Sequence, residues 1–144
     1  MSVSSTHTFY VKELIKWLQQ GNDGGLEYFI HCDISNLNLG NQPPRIDGFI
    51  PDVYAKARFG ERIIIGEAKT LMDVESRHSK NQYISYLKHC SCFASSALLL
   101  AVPWTMVNCV KGLLKAIMRN NNIKSIDVIV LEYLPEQFSD LWDK

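Results

Sequence analysis

Two acidic residues and a lysine in the middle of the sequence have types and spacing that suit chemistry on a phosphate ester. Asp52 follows a proline, and Glu67 and Lys69 are separated by a single residue in the next apolar segment. Carboxylate oxygens are preferred ligands of Mg²⁺ and Mn²⁺, and such a metal lowers the pKa of a bound water. A lysine ammonium can stabilise the charge that develops on a phosphoryl group. The three residues therefore predict metal-assisted hydrolysis of a phosphodiester.

The segments that carry these residues read as two strands of a hairpin. Residues 52–59 alternate between polar or large side chains and small apolar ones, which is the period of a strand. Residues 62–70 form a second strand in the same way. Gly60-Glu61 lies between them, and glycine at the first turn position predicts a two-residue type II′ turn.

That turn would place all the chemical side chains on one face of the sheet. Asp52 would lie opposite Lys69, and Tyr54 opposite Glu67, so that Asp52 and Glu67 become diagonal neighbours with α-carbons about 7–8 Å apart. The opposite face would carry small apolar residues, as a helix-packed face should: Val53, Ala55, Ala57, Ile64, Gly66 and Ala68. The alternative is an ordinary surface, in which Glu67 and Lys69 form an exposed ion pair and Asp52 caps a turn.

Periodicity predicts the elements that must position the hairpin. Residues 6–20 show helical spacing of apolar side chains and end at a glycine-rich cluster. The other predicted elements are a strand over 26–32, a helix over 79–93, a strand over 97–102, a helix over 105–119 capped by Thr105, a strand over 126–131 and a short helix over 135–142. This order predicts an α/β protein with a mixed central sheet flanked by helices, in one domain spanning residues 1–144.

The motif and the order of elements together resemble the PD-(D/E)xK superfamily of nucleases. Pro51-Asp52, followed after a hairpin by Glu67-Ala68-Lys69, is similar to its signature. The family has a restriction-endonuclease-like α-β-β-β-α-β core with these residues on the second and third strands. The agreement covers about residues 6–102. The remaining helix and strand would be a C-terminal α-β addition to that core.

The resemblance implies roles for further residues on the two helices. Glu13 would join Asp52 and Glu67 as a metal ligand, as an acidic residue of the first helix does in many members. Gln82 and Tyr86 resemble the Gln-x-x-x-Tyr element of the RecB-like branch, in which the glutamine approaches the active site and the tyrosine supports it. The alternatives are a solvated helix glutamate at Glu13 and ordinary core packing at Tyr86.

Composition constrains the partners. Fifteen basic and fifteen acidic residues give a net charge of zero, so any DNA-binding surface must be a local patch. The basic residues expected to form it are Lys12, Lys16, Lys56, Arg58, Arg77 and Lys80. The apolar runs are too short to cross a bilayer, and the four cysteines lack the spacing of a metal site. We therefore expect no membrane association, reduced thiols and a cytoplasmic location.

These observations together predict a Mg²⁺- or Mn²⁺-dependent nuclease that acts on DNA. Asp52, Glu67, Lys69 and Gln82 are the expected catalytic residues, and no organic cofactor is implied. A domain of this size has no separate recognition module, so a homodimer is expected. Two alternatives stay open: a catalytically silent nucleic-acid-binding or regulatory module with the same fold, and a hydrolase of small phosphoesters. Against the second alternative, the sequence has no glycine-rich phosphate loop.

Overall fold

A five-stranded sheet with helices on both faces forms the centre of the computed structural model, which describes residues 5–34 and 41–133. Its elements are α1 (Ser5–Gln19), β1 (Tyr28–Cys32), β2 (Val53–Ala57), β3 (Ile63–Ala68), α2 (Arg77–Cys90), β4 (Ser96–Pro103), a 3₁₀ turn (Trp104–Met106), α3 (Val107–Asn120) and β5 (Asp127–Tyr133). The predicted α/β class and mixed sheet are confirmed, and the element bounds differ by a few residues. The short helix predicted over 135–142 lies outside the described residues.

The strands lie in chain order, β1-β2-β3-β4-β5. The pairs β1–β2 and β2–β3 are antiparallel, whereas β3–β4 and β4–β5 are parallel. The last residues of β3, β4 and β5 therefore lie at one end of the sheet, together with the last residue of β1 and the first of β2. We call this end the carboxyl end and the opposite end the amino end. Asp52 and Lys69, which flank β2 and β3, both lie at the carboxyl end.

The predicted two-residue hairpin turn between β2 and β3 is wrong. The Ala57 N–H donates to the Arg62 carbonyl at 2.9 Å, so four residues, 58–61, form the connection. The Arg58 N–H is used on the other side of β2, where it donates to the Glu27 carbonyl at 2.8 Å and extends the β1–β2 pairing. Gly60, with a φ of 100°, takes the left-handed conformation that the longer loop requires.

The longer connection moves the register by two residues and keeps the predicted faces. Val53 pairs with Gly66, so Asp52 lies opposite Glu67 instead of Lys69. Because side chains alternate with a period of two, a shift of two leaves every side chain on the face to which the sequence assigned it. The amphipathic pattern thus predicted the faces correctly although the turn length was wrong.

Two apolar layers hold the sheet between the helices. One layer joins α1 to the small-residue face, with Tyr10, Val11, Leu14, Leu18, Val53, Ala55, Ile64, Ala97, Leu99 and Ala101 among its members. The other joins α2 and α3 to the opposite face, with Tyr54, Ile65, Tyr83, Tyr86, Leu87, Leu98, Leu100, Val110 and Leu114. Gly66 lets α1 approach closely, since a Cβ there would lie 3.1 Å from the Val53 Cβ and 3.5 Å from the Leu14 Cδ1.

An ion-pair network closes the amino end. The Arg62 guanidinium contacts both carboxylate oxygens of Asp23, at 2.7 and 3.1 Å, and also reaches Ser95 and Asp127 at 3.0 Å. Asp23 and Ser95 precede β1 and β4, and Asp127 is the first residue of β5, so a single side chain joins the starts of three strands to β3. Bidentate Arg–carboxylate contacts are the strong form of this interaction.

One predicted helix cap is absent from the structure. Thr105 lies within the 3₁₀ turn, and α3 begins at Val107 without a side-chain cap, so the predicted Thr105 cap is wrong. The helix α2 is capped by Ser76, whose Oγ accepts from the Ser79 N–H at 3.1 Å. Across the described ranges, the helices are all too short or too polar to cross a membrane.

All four cysteines are free thiols. Cys32 and Cys90 are buried, and burial raises the pKa of the Cys90 thiol to about 12. Cys92 and Cys109 are exposed. The chain therefore carries two inert thiols in its core and two accessible ones on its surface.

Candidate active site

Asp52 and Glu67 are held together across the antiparallel β2–β3 pair. The Asp52 N–H donates to Glu67 Oε1 at 3.0 Å, and the Ala68 N–H donates to Asp52 Oδ2 at 2.8 Å. Each carboxylate is therefore fixed by the backbone of the opposite strand. Two of the three residues of the predicted motif are neighbours in the structure, by direct pairing instead of the expected diagonal contact.

Glu67 is the buried acid of the site, with 3% of its surface exposed. Burial raises the pKa of its carboxyl well above the usual range, and the charge of Asp52 raises it further. Lys69, the Asp52 N–H and Tyr86 partly offset these effects. The Tyr86 hydroxyl donates to Glu67 Oε1 at 3.1 Å, so this tyrosine supports the acid directly. The carboxylate form of Glu67 is therefore destabilised by burial and by the neighbouring Asp52.

Lys69 directs its ammonium back toward this acid. Its Nζ lies 3.4 Å from Glu67 Oε2, and only 6% of the residue is exposed. The same Nζ donates to Gln82 Oε1, and it lies 5.9 Å from the centre of the Tyr83 ring. Buried ammonium groups in proteins are normally paired in this way. Gln82, selected from the sequence, therefore contacts Lys69.

The helix α2 presents one face to the acids. Gln82, Tyr83 and Tyr86 are all buried, and Gln82 and Tyr83 each lie about one helical turn before Tyr86 on the side that packs against β3. The Tyr83 hydroxyl donates to the Val74 carbonyl at 2.9 Å, which anchors the segment between Lys69 and the helix. The sequence reading placed Gln82 and Tyr86 on one face, and both reach the candidate site.

His7 on α1 is a site residue that the sequence reasoning missed. Its Nε2 lies 3.1 Å from Asp52 Oδ2, and this contact is the main reason that the pKa of His7 is raised. Lys69 and Asp73 also act on the charge of His7. The sequence offered little signal, because a single histidine near the start of a helix has no motif around it.

Asp33 is a second residue that sequence reasoning missed. It follows β1 directly, and its N–H donates to the Asp52 carbonyl at 3.0 Å. The pKa of the Asp33 carboxyl is raised by burial and then by the charge of Asp52, while His7 lowers it. A signal existed, because an acid at the end of β1 must face the start of β2 in an antiparallel pair.

Glu13 lies on α1, half-buried, and its charge acts on Tyr133 at the end of β5. The pKa of Tyr133 is raised to about 12, mainly by burial and to a lesser extent by Glu13. No contact within residues 5–34 and 41–133 joins Glu13 to Asp52 or Glu67. In the same ranges, no three side chains of the metal-binding types are already gathered around one point. The structure brings His7, and not Glu13, to Asp52.

The expected basic patch is divided between the two ends of the sheet. Arg77 and Lys80 are exposed on the first turns of α2, close to the segment that follows Lys69. Arg58 lies at the amino end, where it pairs with Glu27 at 3.3 Å. Only part of the predicted patch can therefore face a substrate bound at the carboxyl end.

Comparison with known proteins found no relative from which residue roles could be transferred, so the site is described from its own geometry. No protein-family model, no curated protein and no solved structure matches the chain. The arrangement consists of a buried acid, a second acid fixed beside it, a buried lysine and a histidine, all at the carboxyl end of a mixed sheet. Such an arrangement can hold a hard cation and stabilise an anionic transition state.

Proposed function

We propose that this chain is a metal-dependent nuclease that hydrolyses phosphodiester bonds of DNA, with a core of the restriction-endonuclease-like PD-(D/E)xK type. The observation that carries the proposal is the convergence of Asp52, Glu67 and Lys69 at the carboxyl end of the sheet. Glu67 is bonded to the Asp52 backbone at 3.0 Å, and the Lys69 ammonium lies 3.4 Å from its other oxygen. The predicted surface alternative does not fit, because Glu67 and Lys69 are both buried.

The donor set fits Mg²⁺ or Mn²⁺. Burial and Asp52 both raise the pKa of Glu67, and a divalent cation would supply the positive charge that the ionised pair lacks. Asp52 and Glu67 would hold the ion through carboxylate oxygens, and His7, whose imidazole contacts Asp52, would be a further ligand. When bound, the metal would polarise the phosphoryl group and provide hydroxide at neutral pH.

The protein side chains supply positioning and charge. Lys69 would stabilise the negative charge that develops on the phosphoryl oxygens, because its ammonium is buried where electrostatic interactions are strong. Gln82 holds Lys69 in place through its amide oxygen, and Tyr86 holds Glu67. These contacts fix the charged groups before substrate binds, which reduces the cost of reorganisation.

The proposal includes a homodimer and a cytoplasmic location. One domain of this size covers a short stretch of DNA, and a second copy would extend the contact to both strands. Free Cys92 and Cys109 on the surface fit a reducing compartment. Sedimentation of the protein with and without duplex DNA measures the first of these expectations.

A cleavage panel tests the function. Single-stranded, double-stranded, circular and branched DNA are incubated with the protein in Mg²⁺, in Mn²⁺ and in EDTA, and an Asp52→Asn preparation purified in parallel controls for contaminating nuclease. We expect metal-dependent cleavage by the parent protein alone. DNA binding without cleavage would favour the catalytically silent module, and cleavage of mononucleotide esters alone would favour the small-phosphoester hydrolase.

A further inference from the structure

Three large apolar side chains are exposed at the carboxyl end of the sheet, beside the candidate site. Leu71 is 56% exposed, Met72 is 87% exposed and Trp104 is 54% exposed. The other large apolar residues with such exposure among the described residues belong to the β1 segment and the hairpin: Leu26, Phe29 and Phe59. A tryptophan this exposed leaves apolar area in water that a binding partner can cover.

The parallel pairing of β3 and β4 brings these residues to the same place. Ala68 pairs with Ala101, and the Lys69 N–H continues the ladder to the Ala101 carbonyl at 3.0 Å. Leu71 follows Ala68 by three residues, and Trp104 follows Ala101 by three residues. Both residues therefore lie just beyond their strands at the carboxyl end. We call Leu71, Met72 and Trp104 the apolar rim.

The segments that carry the apolar rim also meet beyond the strands. The Cys109 thiol, in the first turns of α3, donates a hydrogen bond to the Glu75 carboxylate in the segment that precedes α2. Leu71 and Met72 lie between Lys69 and that contact. Chain length alone keeps the Met72 α-carbon within about 11 Å of the Lys69 α-carbon. The rim is thus continuous with the candidate active site.

Exposed charged residues of both signs flank the rim: Asp73 and Glu75 follow Met72, and the basic Arg77 and Lys80 follow on α2. Arg77 and Lys80 are exposed and three residues apart on α2, so they share a helix face at this end of the molecule. Basic side chains contact phosphates, and neighbouring aromatic faces stack on bases. Apolar side chains next to two basic residues fit a nucleic-acid strand whose phosphates and bases are both accessible.

We propose that the apolar rim, and Trp104 above all, stacks on unpaired bases next to the scissile phosphate, so that the preferred substrate is single-stranded DNA or a frayed strand end. This inference rests on the proposed nuclease function. A base inside a duplex presents only its edges, whereas an unpaired base presents the flat face that tryptophan contacts. Because the Met72 α-carbon lies within about 11 Å of the Lys69 α-carbon, the rim would contact bases within a few nucleotides of the cleaved bond.

The test compares two substrates and two variants. A single-stranded oligonucleotide and the blunt duplex of the same sequence are titrated against the Lys69→Met protein in Mg²⁺, with and without Trp104→Ala. Phe59→Ala is the matched control, because Phe59 is 77% exposed at the amino end. Intrinsic fluorescence is recorded with Trp104→Phe as the reference, since the difference isolates the signal of Trp104 from the other two tryptophans.

We expect Trp104→Ala to weaken single-strand binding by about five- to a hundredfold and duplex binding by less than about twofold, while Phe59→Ala changes neither. Single strands, and not the duplex, should quench the fluorescence of Trp104. Met72→Ala provides a second variant on a more exposed residue, with a smaller loss in the same direction. Thermal unfolding of each variant identifies misfolded preparations. If Trp104→Ala is misfolded, the Met72→Ala variant and the fluorescence measurement test the proposal instead.

The outcomes separate this inference from the proposed function. Equal losses on both substrates, or none on either, while the parent protein binds and cleaves DNA, would overturn the rim alone. Failure of the parent protein to bind or cleave any nucleic acid would overturn the nuclease proposal and the rim with it.

Discussion

Asp52 lies directly opposite Glu67, and its N–H donates to the Glu67 carboxylate at 3.0 Å. The return contact runs from the Ala68 N–H to the Asp52 carboxylate at 2.8 Å. The separation of the two acids is therefore set by the register of β2 and β3, and not by flexible side chains alone. Any change that moves this register would displace both acids together, because each depends on the backbone of the other strand.

The first prediction separates catalysis from binding. Replacing Lys69 by Met keeps the apolar stem and removes the ammonium, so cleavage should fall by about two or more orders of magnitude while metal and DNA binding persist. Lys56→Met is the matched control, because Lys56 is an exposed lysine of the neighbouring strand. Single-turnover cleavage and DNA titration measure the two effects. Equal cleavage by parent and Lys69→Met would remove Lys69 from the chemistry.

The second prediction concerns the metal ligands. Asp52→Asn should abolish Mn²⁺ binding measured by calorimetry, because an amide is a poorer ligand for a hard cation. His7→Ala should weaken binding about tenfold or more, whereas Glu13→Gln should change it little, since His7 contacts Asp52 at 3.1 Å and the charge of Glu13 acts on Tyr133. A larger loss in Glu13→Gln than in His7→Ala would restore the ligand set implied by the family resemblance.

The third prediction concerns salt. Replacing Arg77 and Lys80 together by Gln should weaken DNA binding and reduce the slope of log affinity against log salt by about 2, because each lost phosphate contact contributes about 1. Arg58→Gln should leave the slope unchanged, since Arg58 pairs with Glu27 at the other end of the sheet. An equal change in both proteins would place DNA across the whole molecule.

The fourth prediction is a pH dependence of stability. Burial lowers the pKa of His89, whose Nε2 lies 2.9 Å from the Tyr54 hydroxyl, and Asp47 partly opposes the shift. Below the unfolded-state pKa of about 6.5 the unfolded chain binds more protons at His89 than the folded protein, so stability falls as the pH is lowered through this region. In EDTA, the unfolding temperature of His89→Gln should decline less between pH 7 and 5 than that of the parent. Parallel curves would assign the decline to other groups.

The sequence predicted the local features of the site well and the distant ones poorly. Alternation of residue size in β2 and β3 assigned Glu67 and Lys69 to the face that α2 covers, where Tyr86 and Gln82 contact them, because burial enforces a period of two. The turn was less predictable, since the four-residue loop depends on Arg58 pairing with Glu27 in another strand. A glycine between two strands is compatible with either loop.

The residues that were missed depend on contacts between distant segments. His7 and Asp52 are 45 positions apart, and nothing in the first helix indicates which turn will lie over the start of β2. Glu13 had the expected residue type, but α1 brings His7 to Asp52, and the charge of Glu13 acts on the pKa of Tyr133 instead. Helix position relative to a sheet is set by packing, such as the close approach of α1 at Gly66, which no local pattern encodes.

The two exposed thiols lie at opposite ends of the molecule and can serve as attachment points for dyes. Cys92 lines a shallow depression at the amino end with Gly60 and Arg62, whereas Cys109 is hydrogen-bonded to Glu75 near the apolar rim. The Glu75 carboxylate raises the pKa of the Cys109 thiol and so slows its alkylation at neutral pH. A Cys92→Ser protein would therefore carry a single reporter beside the apolar rim, and a Cys109→Ser protein would carry one at the remote end.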